Sequence, residues 1–186
     1  MSIGGVEEYR NNVSSIELKP AICSIGEIVN WFIEKSIKHK KTLTHLRLQR
    51  LLYLAYYNFL RKQSTILFDE LPEAWEYSPI FPSVYYEYRK FGNTPLPYNK
   101  YIFFEDSTYD EKKERFVFFS KFIKDRNVDR FLSKEVWDKY VDYSDRELFD
   151  EIHNENYSKP WTKGRQSAEN SNLRHVDIKN DDILAA

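Results

Sequence analysis

The sequence predicts a mainly α-helical fold, and three observations support this expectation. Two stretches, 25–38 and 45–63, repeat apolar residues with the period of an α-helix. Residues that commonly cap helices stand directly before both stretches. Strand-like runs of aromatic and β-branched residues are concentrated in residues 100–121. We therefore expect a compact helical domain with one small β-hairpin around 100–121.

The first predicted helix begins after Ser24. Ser24 with Glu27 three positions later is a capping box, in which side chain and backbone of the two residues satisfy each other's hydrogen bonds. The apolar residues that follow fall on one helical face up to about Lys38: Ile25, Ile28, Val29, Phe32, Ile33 and Ile37.

The second predicted helix is HLRLQRLLYLAYYNFLRKQ, which follows Thr44 as its cap. Its apolar residues form a broad stripe: Leu48, Leu51, Leu52, Leu54, Ala55, Tyr57, Phe59 and Leu60. A helix that is apolar over so much of its circumference is expected at the centre of the core.

The stretch EAWEYSPIFPSVYYEYRKFG, residues 73–92, contains seven aromatic residues and two prolines. Residues 73–77 are expected to form a short helical turn. Pro79 and Pro82 prevent a continuous helix, because proline lacks a backbone N–H and disfavours helical geometry in the residue before it. Pro82 also suits the start of a new helix, which is expected to end near Gly92.

Residues 100–125 have two interpretations. The runs YIFFED and RFVFFSKF suit the two strands of a hairpin, since aromatic and β-branched side chains favour strands. Phe116, Phe119 and Ile123 also fit one face of a helix. We favour the hairpin.

Helical signals return after residue 130. Ser133 is expected to cap a segment that carries Val136, Trp137 and Tyr140. A second capping box then pairs Ser144 with Glu147. The following EIHNENYSKPWTKGR is expected to end that helix at a polar turn and to fold Trp161 back onto the core.

The sequence divides into three expected parts. Residues 1–22 lack a sustained period and are expected to form an irregular arm, and residues 23–165 the helical domain. From about Gln166 the chain loses aromatic residues and becomes rich in Asn, Ser and Asp. Residues 166–186 are therefore expected to be a mobile polar tail.

Composition narrows the function classes. The chain has no apolar run long enough to span a membrane, which favours a soluble protein. The single Cys23 rules out an internal disulfide, and one Cys with four scattered His gives no zinc spacing, so we expect a reducing cytoplasm and no metal. The net charge of −1 argues against nucleic acid as a partner. One local stretch is nevertheless basic: Lys35, Lys38, Lys40, Lys41, Arg47 and Arg50.

The sequence contains no recognisable catalytic motif. It has no glycine-rich phosphate loop, no GxSxG and no HExxH, and it has only five glycines. His45 and His153 stand at the ends of predicted helices, where a structural role is the default expectation for a lone histidine. An enzyme is therefore not expected, and no cofactor is implied.

Three segments together resemble a known family. In order and spacing, LTHLRLQRLLYLAYYNFL, LFDELPEAWEYSPIFPSVYYEYRKFG and LFDEIHNENYSKPW resemble the signature segments of the Panacea antitoxin domain, which includes the SocA-type proteolytic adaptor and many phage-associated proteins. The resemblance runs from about Ile25 to Arg165. Family members usually carry Gly where this chain has Ser78, and Thr where it has Ile152. The most specific matching positions are Leu48, Gln49, Leu51, Leu52, Tyr53, Phe68, Ala74, Trp75, Tyr77, Pro79, Pro82, Ser83, Val84, Tyr85, His153, Pro160 and Trp161.

The resemblance implies an antitoxin that binds and neutralises a toxin encoded beside it, without catalysing a reaction. It further implies that the aromatic stretch binds this partner, and Trp and Tyr are enriched among binding hot spots. The alternative is that most of these rings are core, which helical spacing favours for Trp75, Tyr85 and Phe91, whereas Tyr86 and Glu87 lie on the opposite face. The candidate partner-binding residues are Trp75, Tyr77, Phe81, Tyr85, Tyr86, Glu87 and Tyr88.

The carboxyl-terminal sequence ILAA is similar to the Leu-Ala-Ala ending of a bacterial tag that the ClpXP protease recognises. We hypothesise that Leu184, Ala185 and Ala186 make the protein labile, with chance as the competing explanation. A SocA-type adaptor, which delivers its toxin to ClpXP, is a variant of the antitoxin function. The other function classes are a DNA-binding regulator that uses the basic stretch, and an uncharacterised enzyme.

Overall fold

The computed structural model describes residues 18–97 and 123–186, together with the backbone of residues 107–110 and 115–118. Eight α-helices lie in this part of the chain: α1 (Ile25–Lys38), α2 (His45–Gln63), α3 (Pro82–Tyr88), α4 (Arg126–Phe131), α5 (Asp138–Tyr140), α6 (Asp145–Ile152), α7 (Ser158–Asn170) and α8 (Asn180–Ala185). A 3₁₀ turn, Arg89–Phe91, extends α3, and a π-helical segment, Leu132–Trp137, joins α4 to α5. The mainly α-helical fold class is confirmed.

Two short antiparallel hairpins accompany the helices. Strand β1 (Glu73–Ala74) pairs with β2 (Pro79–Ile80), and β3 (Ser107–Asp110) pairs with β4 (Arg115–Phe118). In β3 and β4, Ser107 lies opposite Phe118 and Asp110 opposite Arg115. A hairpin is therefore present within 100–121, with a second strand in the predicted run RFVFFSKF. Its first strand, Ser107–Asp110, lies in the segment that was expected to be a turn, and the run YIFFED, residues 101–106, lies outside the described residues.

The first two helices begin at the residues that the sequence predicts. The Ser24 hydroxyl accepts a hydrogen bond from the Glu27 N–H at 3.3 Å, and the Glu27 carboxylate accepts one from the Ser24 N–H at 2.8 Å. The Thr44 hydroxyl accepts the Arg47 N–H at 3.3 Å. Each cap satisfies amide groups that have no partner within the helix, which fixes where the helix starts.

Helix α2 forms the centre of the core, as predicted. It contacts α1, α3, α6, α8, β2 and the π-helical segment. Two of its buried tyrosines also anchor distant segments: the Tyr53 hydroxyl donates to the Tyr157 carbonyl at 2.9 Å, and the Tyr56 hydroxyl donates to Asn180 Oδ1 at 2.7 Å. The fully buried side chains of α2 include Leu48, Leu52, Tyr53, Leu54, Ala55, Tyr56 and Leu60.

No helix in the described ranges is long and apolar enough to cross a membrane.

The short helical turn predicted for residues 73–77 is wrong. Glu73 lies opposite Ile80 and Ala74 opposite Pro79, so the chain makes a tight hairpin there. The Ala74 N–H also donates to the Val176 carbonyl at 2.8 Å, on the side away from β2. The β2 partners lie five to seven residues away and Val176 comes from a remote segment, and backbone groups paired in this way no longer need a helix.

The helix cap predicted at Ser133 is also wrong. The helical segment begins earlier, at Asp125, whose carboxylate accepts the N–H groups of Asn127 at 2.7 Å and Val128 at 3.3 Å. Ser133 lies inside the π-helical segment and accepts a hydrogen bond from Lys35 Nζ at 3.2 Å. The second predicted capping box, Ser144 with Glu147, is present at the start of α6.

The structure differs from the expected polar tail at 166–186. Helix α7 runs through residue 166 to Asn170, and α8 packs against α2 and α7. Ile178 and Ile183 are fully buried, and the Ile178 N–H donates to the Pro72 carbonyl at 2.7 Å. Two well-spaced isoleucines and backbone hydrogen bonds hold this otherwise polar segment on the domain.

Of the expected amino-terminal arm, residues 1–17 lie outside the described residues. The remaining part is extended and runs beside the chain that follows α2. Lys19 forms a parallel bridge with Thr65, and the N–H groups of Ile22 and Cys23 donate to the carbonyls of residues 66 and 67. Burial raises the pKa of the Cys23 thiol to about 12, so the thiol stays protonated.

Candidate functional site

The proline elbow is held by a side chain of the central helix. The Gln49 amide donates from Nε2 to the Phe81 carbonyl at 3.1 Å, and its Oε1 accepts the Phe81 N–H at 2.8 Å. Gln49 and Phe81 are both buried. A strand neighbour would make the same pair of hydrogen bonds, so Gln49 fixes the chain between β2 and α3 without a third strand.

Helix α7, in which the third family motif ends, packs against the hairpin of the second motif. The Trp161 indole N–H donates to the Trp75 carbonyl at 2.9 Å. Gly164 lets the helix approach the hairpin closely, because a Cβ placed on Gly164 would lie only 2.7 Å from the Cβ of Ala74. Contacts this short are essentially never made by real side chains, so the approach of α7 to β1 depends on glycine.

The Trp75 side chain is fixed by residues near it in space. Its indole N–H donates to the Glu73 carboxylate at 2.6 Å, and the same carboxylate lies 2.9 Å from His175 Nδ1. The His175 ring stacks on the indole with centroids 4.8 Å apart, and the Tyr85 ring lies against it at the same distance. The segment after α7 is therefore part of the same aromatic cluster.

These elements surround a surface cavity of about 700 Å³, which we call the aromatic cavity. Its walls come from the first turns of α2, the β1–β2 hairpin, α3, α6, α7 and the segment that follows α7. The residues lining it are Leu46, Gln49, Arg50, Trp75, Glu76, Tyr77, Ser78, Ile80, Tyr85, Tyr86, Arg89, Phe149, Arg165, Leu173, Arg174 and His175.

Exposed apolar side chains concentrate around this cavity. Tyr77 is 72% exposed and Tyr86 55% exposed, and Leu46 and Leu173 are also exposed. Of the large hydrophobic side chains that are exposed in the described ranges, these four line the cavity and three lie elsewhere. Exposed apolar patches with a polar rim commonly mark sites where a protein binds a partner or a ligand.

The cavity is also rich in arginine. Arg50 donates to the Asp145 carbonyl at 2.9 Å and lies over the Phe149 ring at 5.6 Å, and burial lowers its pKa. Arg89 lies over the Tyr86 ring at 4.9 Å. Arg165 donates to the carbonyls of residues 74 and 174. Arg174 is exposed.

The predicted partner-binding residues separate into two groups. Trp75, Tyr77, Tyr85 and Tyr86 line the cavity, and Glu87 lies half-buried on the same helix beside Lys90. Phe81 and Tyr88 are fully buried, so in this structure their rings belong to the core and present no surface to a partner. Burial raises the pKa of Tyr88, in keeping with its place in the core.

Several lining residues were not predicted from the sequence. Leu46 and Arg50 were assigned to a core helix and a basic stretch, and Phe149 to an ordinary amphipathic helix. Leu173 to His175 were assigned to the tail. No local pattern distinguishes these residues, because they meet the aromatic helix only after α6 and α7 pack.

The two family departures are accommodated by the fold. Ser78 is not among the residues of positive φ, so the backbone there does not require the usual glycine. Its hydroxyl is buried and has no hydrogen-bond partner among the described residues. Ile152 is fully buried, which suits an apolar side chain in place of the usual Thr.

The lone histidines and the basic stretch make contacts within the domain. His153 Nδ1 lies 2.7 Å from the Phe149 carbonyl, and burial lowers the pKa of His45. Lys41 pairs with Asp142 at 2.5 Å, and Arg47 donates to the carbonyls of residues 140, 141 and 143. These contacts give Lys41 and Arg47 a structural role, and they do not favour DNA binding by this stretch.

The three terminal residues lie on and just after α8. Ala185 is exposed, whereas Leu184 and Ala186 are half-buried and pack against the core. The Ala186 N–H donates to the Ile183 carbonyl at 3.4 Å. A protease that grips this end would therefore have to detach α8 first.

The fold and site define a helical domain in which three separate sequence motifs converge on one aromatic surface. The chain matches the family described as antitoxin SocA-like, Panacea domain, over residues 48–162, and it belongs to that family. No curated protein and no solved structure matches the chain. The matched range contains the Gln49 clamp, the elbow and Trp161, so the family resemblance of the sequence is confirmed.

Proposed function

We propose that this protein is a cytoplasmic bacterial antitoxin that neutralises a cognate toxin by binding it directly at the aromatic cavity. The family supports a role in a toxin–antitoxin system. The observation that carries the proposal is the exposure of Tyr77 and Tyr86 beside the cavity, on a hairpin and helix held rigid by Gln49 and Trp161. Rigid aromatic side chains contribute large contact area at low entropic cost, which suits a binding surface.

The contacts around the cavity favour binding rather than catalysis. The Glu73 carboxylate accepts a hydrogen bond from the Trp75 indole and lies 2.9 Å from His175 Nδ1, so its oxygens are engaged within the domain. A hydrogen bond to Glu76 raises the pKa of Tyr77. This arrangement of residues does not suggest which of them would act as an acid, a base or a nucleophile.

The test is a growth-rescue assay with matched variants. The neighbouring gene is expressed alone and together with this protein in a bacterial host, and growth and co-purification are scored. We expect toxicity that the wild-type protein relieves, with a complex recovered. Tyr86→Ala should weaken the complex by roughly tenfold or more, as expected for a hot-spot aromatic residue.

Tyr143→Ala is the matched control. Tyr143 is also a partly exposed tyrosine, but it does not line the cavity. We expect this variant to rescue growth as the wild type does. A harmless neighbouring gene, or toxicity that the wild-type protein does not relieve, would count against the antitoxin function, and equal effects of the two variants would count against the surface.

A second proposal concerns turnover. The terminal residues Leu184, Ala185 and Ala186 are proposed as a signal for ClpXP, supported by the similarity of the ILAA ending to the tag that this protease recognises. Ala185 is exposed, and recognition of the half-buried Leu184 and Ala186 requires that α8 detaches from the core. Delivery of the bound toxin to the same protease is the adaptor variant of the proposal. Both variants use the same contact with the toxin.

A further inference from the structure

We infer that the aromatic cavity recognises an acidic segment of the toxin, in which carboxylates flank an aromatic or aliphatic side chain. The inference rests on the proposed function and specifies the chemistry of the partner. Three features of the cavity support it: the charge of the residues that line it, the lack of ion-pair partners for most of its arginines, and the exposed apolar side chains around its rim.

The residues that line the cavity carry a net positive charge although the whole chain has a net charge of −1. Arg50, Arg89, Arg165 and Arg174 line it, and Glu76 is the only carboxylate among the lining residues described. Like charges gathered in one concave site repel each other and gain from an anionic partner. The wall is therefore complementary to a negatively charged segment.

Three of these four arginines form no ion pair in the described part of the chain, although the Asp145 carboxylate lies near Arg50 and acts to raise its pKa. Arg50 is held by a backbone carbonyl and by the Phe149 ring, and Arg89 by the Tyr86 ring. Arg165 makes one long ion pair, 3.6 Å, with Glu169. The guanidinium groups are thus positioned by carbonyls and rings, which leaves N–H donors for planar anions such as carboxylates.

The apolar rim favours a polypeptide over a small anion. Leu46, Tyr77, Tyr86 and Leu173 are exposed around a cavity of about 700 Å³, so the apolar surface continues beyond the space that a phosphate or a single nucleotide would fill. Aromatic and arginine side chains together are typical of the centre of protein interfaces. A side chain of the toxin would enter between the rings while its acidic neighbours meet the arginines.

The experiment uses the full chain and fluorescein-labelled overlapping peptides that cover the toxin sequence, with binding followed by fluorescence anisotropy. We expect the peptides that bind to carry at least two Asp or Glu beside an aromatic or aliphatic residue. The double variant Arg89→Glu, Arg174→Glu should bind them and the intact toxin roughly tenfold more weakly or worse. Both arginines are exposed, so the fold should survive, which circular dichroism checks.

Arg130→Glu is the control, because Arg130 is an exposed arginine that lines a different depression. It should leave the affinity unchanged. Replacing the acidic residues of the bound toxin segment with Lys should restore binding to the double variant. Such a charge exchange would establish the pairing, because a merely damaged surface could not be repaired from the partner's side.

Two sets of results separate this inference from the proposed function. If growth rescue and the complex persist while the double variant binds normally, or if the peptides that bind are neutral or basic, the acidic segment is wrong and the antitoxin function stands. If the neighbouring gene product forms no complex with the wild-type protein, both fail. Arginine-dependent binding of a labelled deoxythymidine 12-mer, or arginine-dependent dimerisation in ultracentrifugation, would overturn the inference by giving the cavity another occupant.

Discussion

At the scale of single residues, Gln49 connects the core to the proposed binding surface. Its amide pairs with both backbone groups of Phe81, and so it sets the position at which α3 starts. Tyr85 and Tyr86 follow on that helix, and both line the aromatic cavity. A core side chain thereby controls where two surface rings point.

Replacing Gln49 with Leu should destabilise the protein by about 3 kcal/mol. The substitution keeps the approximate volume, but it leaves the buried N–H and C=O of Phe81 without partners, and each unpaired group costs about 1–3 kcal/mol. The measurement is the free energy of unfolding from urea titration followed by tryptophan fluorescence. Gln63→Leu, at the exposed end of the same helix, is the control and should change the free energy by less than about 0.5 kcal/mol. A loss in Gln49→Leu as small as that expected of the control would contradict this role, because the Phe81 groups would then have found other partners.

For single residues, the sequence predicted only which side chains of α3 face outward. Helical spacing placed Tyr86 on the outer face, and it is exposed. The same reasoning could not assign Phe81, which stands before the helix and turns inward because Gln49 holds its backbone. Nor could it find the arginines of the cavity wall, whose positions depend on the packing of other elements.

At the scale of elements, the capped helices were predictable and the carboxyl-terminal ones were not. Capping boxes and apolar periodicity are local signals, and they located α1, α2 and α6. Residues 174–186 have no such signal, because they are held by two buried isoleucines and by backbone pairing with Pro72 and Ala74. Backbone groups can form such hydrogen bonds with any neighbouring segment, whatever its side chains are, so they leave no pattern in the sequence. The polar composition of these residues therefore predicted a tail.

Helix α8 also frames the proposed degradation signal. Changing Ala185 and Ala186 together to Asp should lengthen the cellular half-life severalfold, because the change removes the apolar ending that ClpXP would grip. The half-life is measured by immunoblotting after protein synthesis is stopped. The control carries the same two added charges at exposed positions at the end of α7, Asn170→Asp with Ser171→Asp. An unchanged half-life in the Ala185, Ala186 variant would contradict the signal.

At the scale of the whole molecule, the fold brings distant parts of the chain to one place. The elbow is clamped from α2, backed by α7 and bordered by the segment that precedes α8. Each of these contacts is buried or half-buried, so the backbone that carries the exposed rings is held in place by the rest of the fold. Preorganised surfaces lose less conformational entropy on binding, which suits the proposed role in binding a protein partner.

The most direct measurement is hydrogen–deuterium exchange of the full chain, alone and in complex with the toxin. We predict slower amide exchange in the complex for residues 75–78, 85–89 and 173–175, which border the aromatic cavity. Residues 126–137 lie on other elements and should exchange equally in both states. Protection of residues 126–137 with no change around the cavity would place the toxin elsewhere and contradict the account.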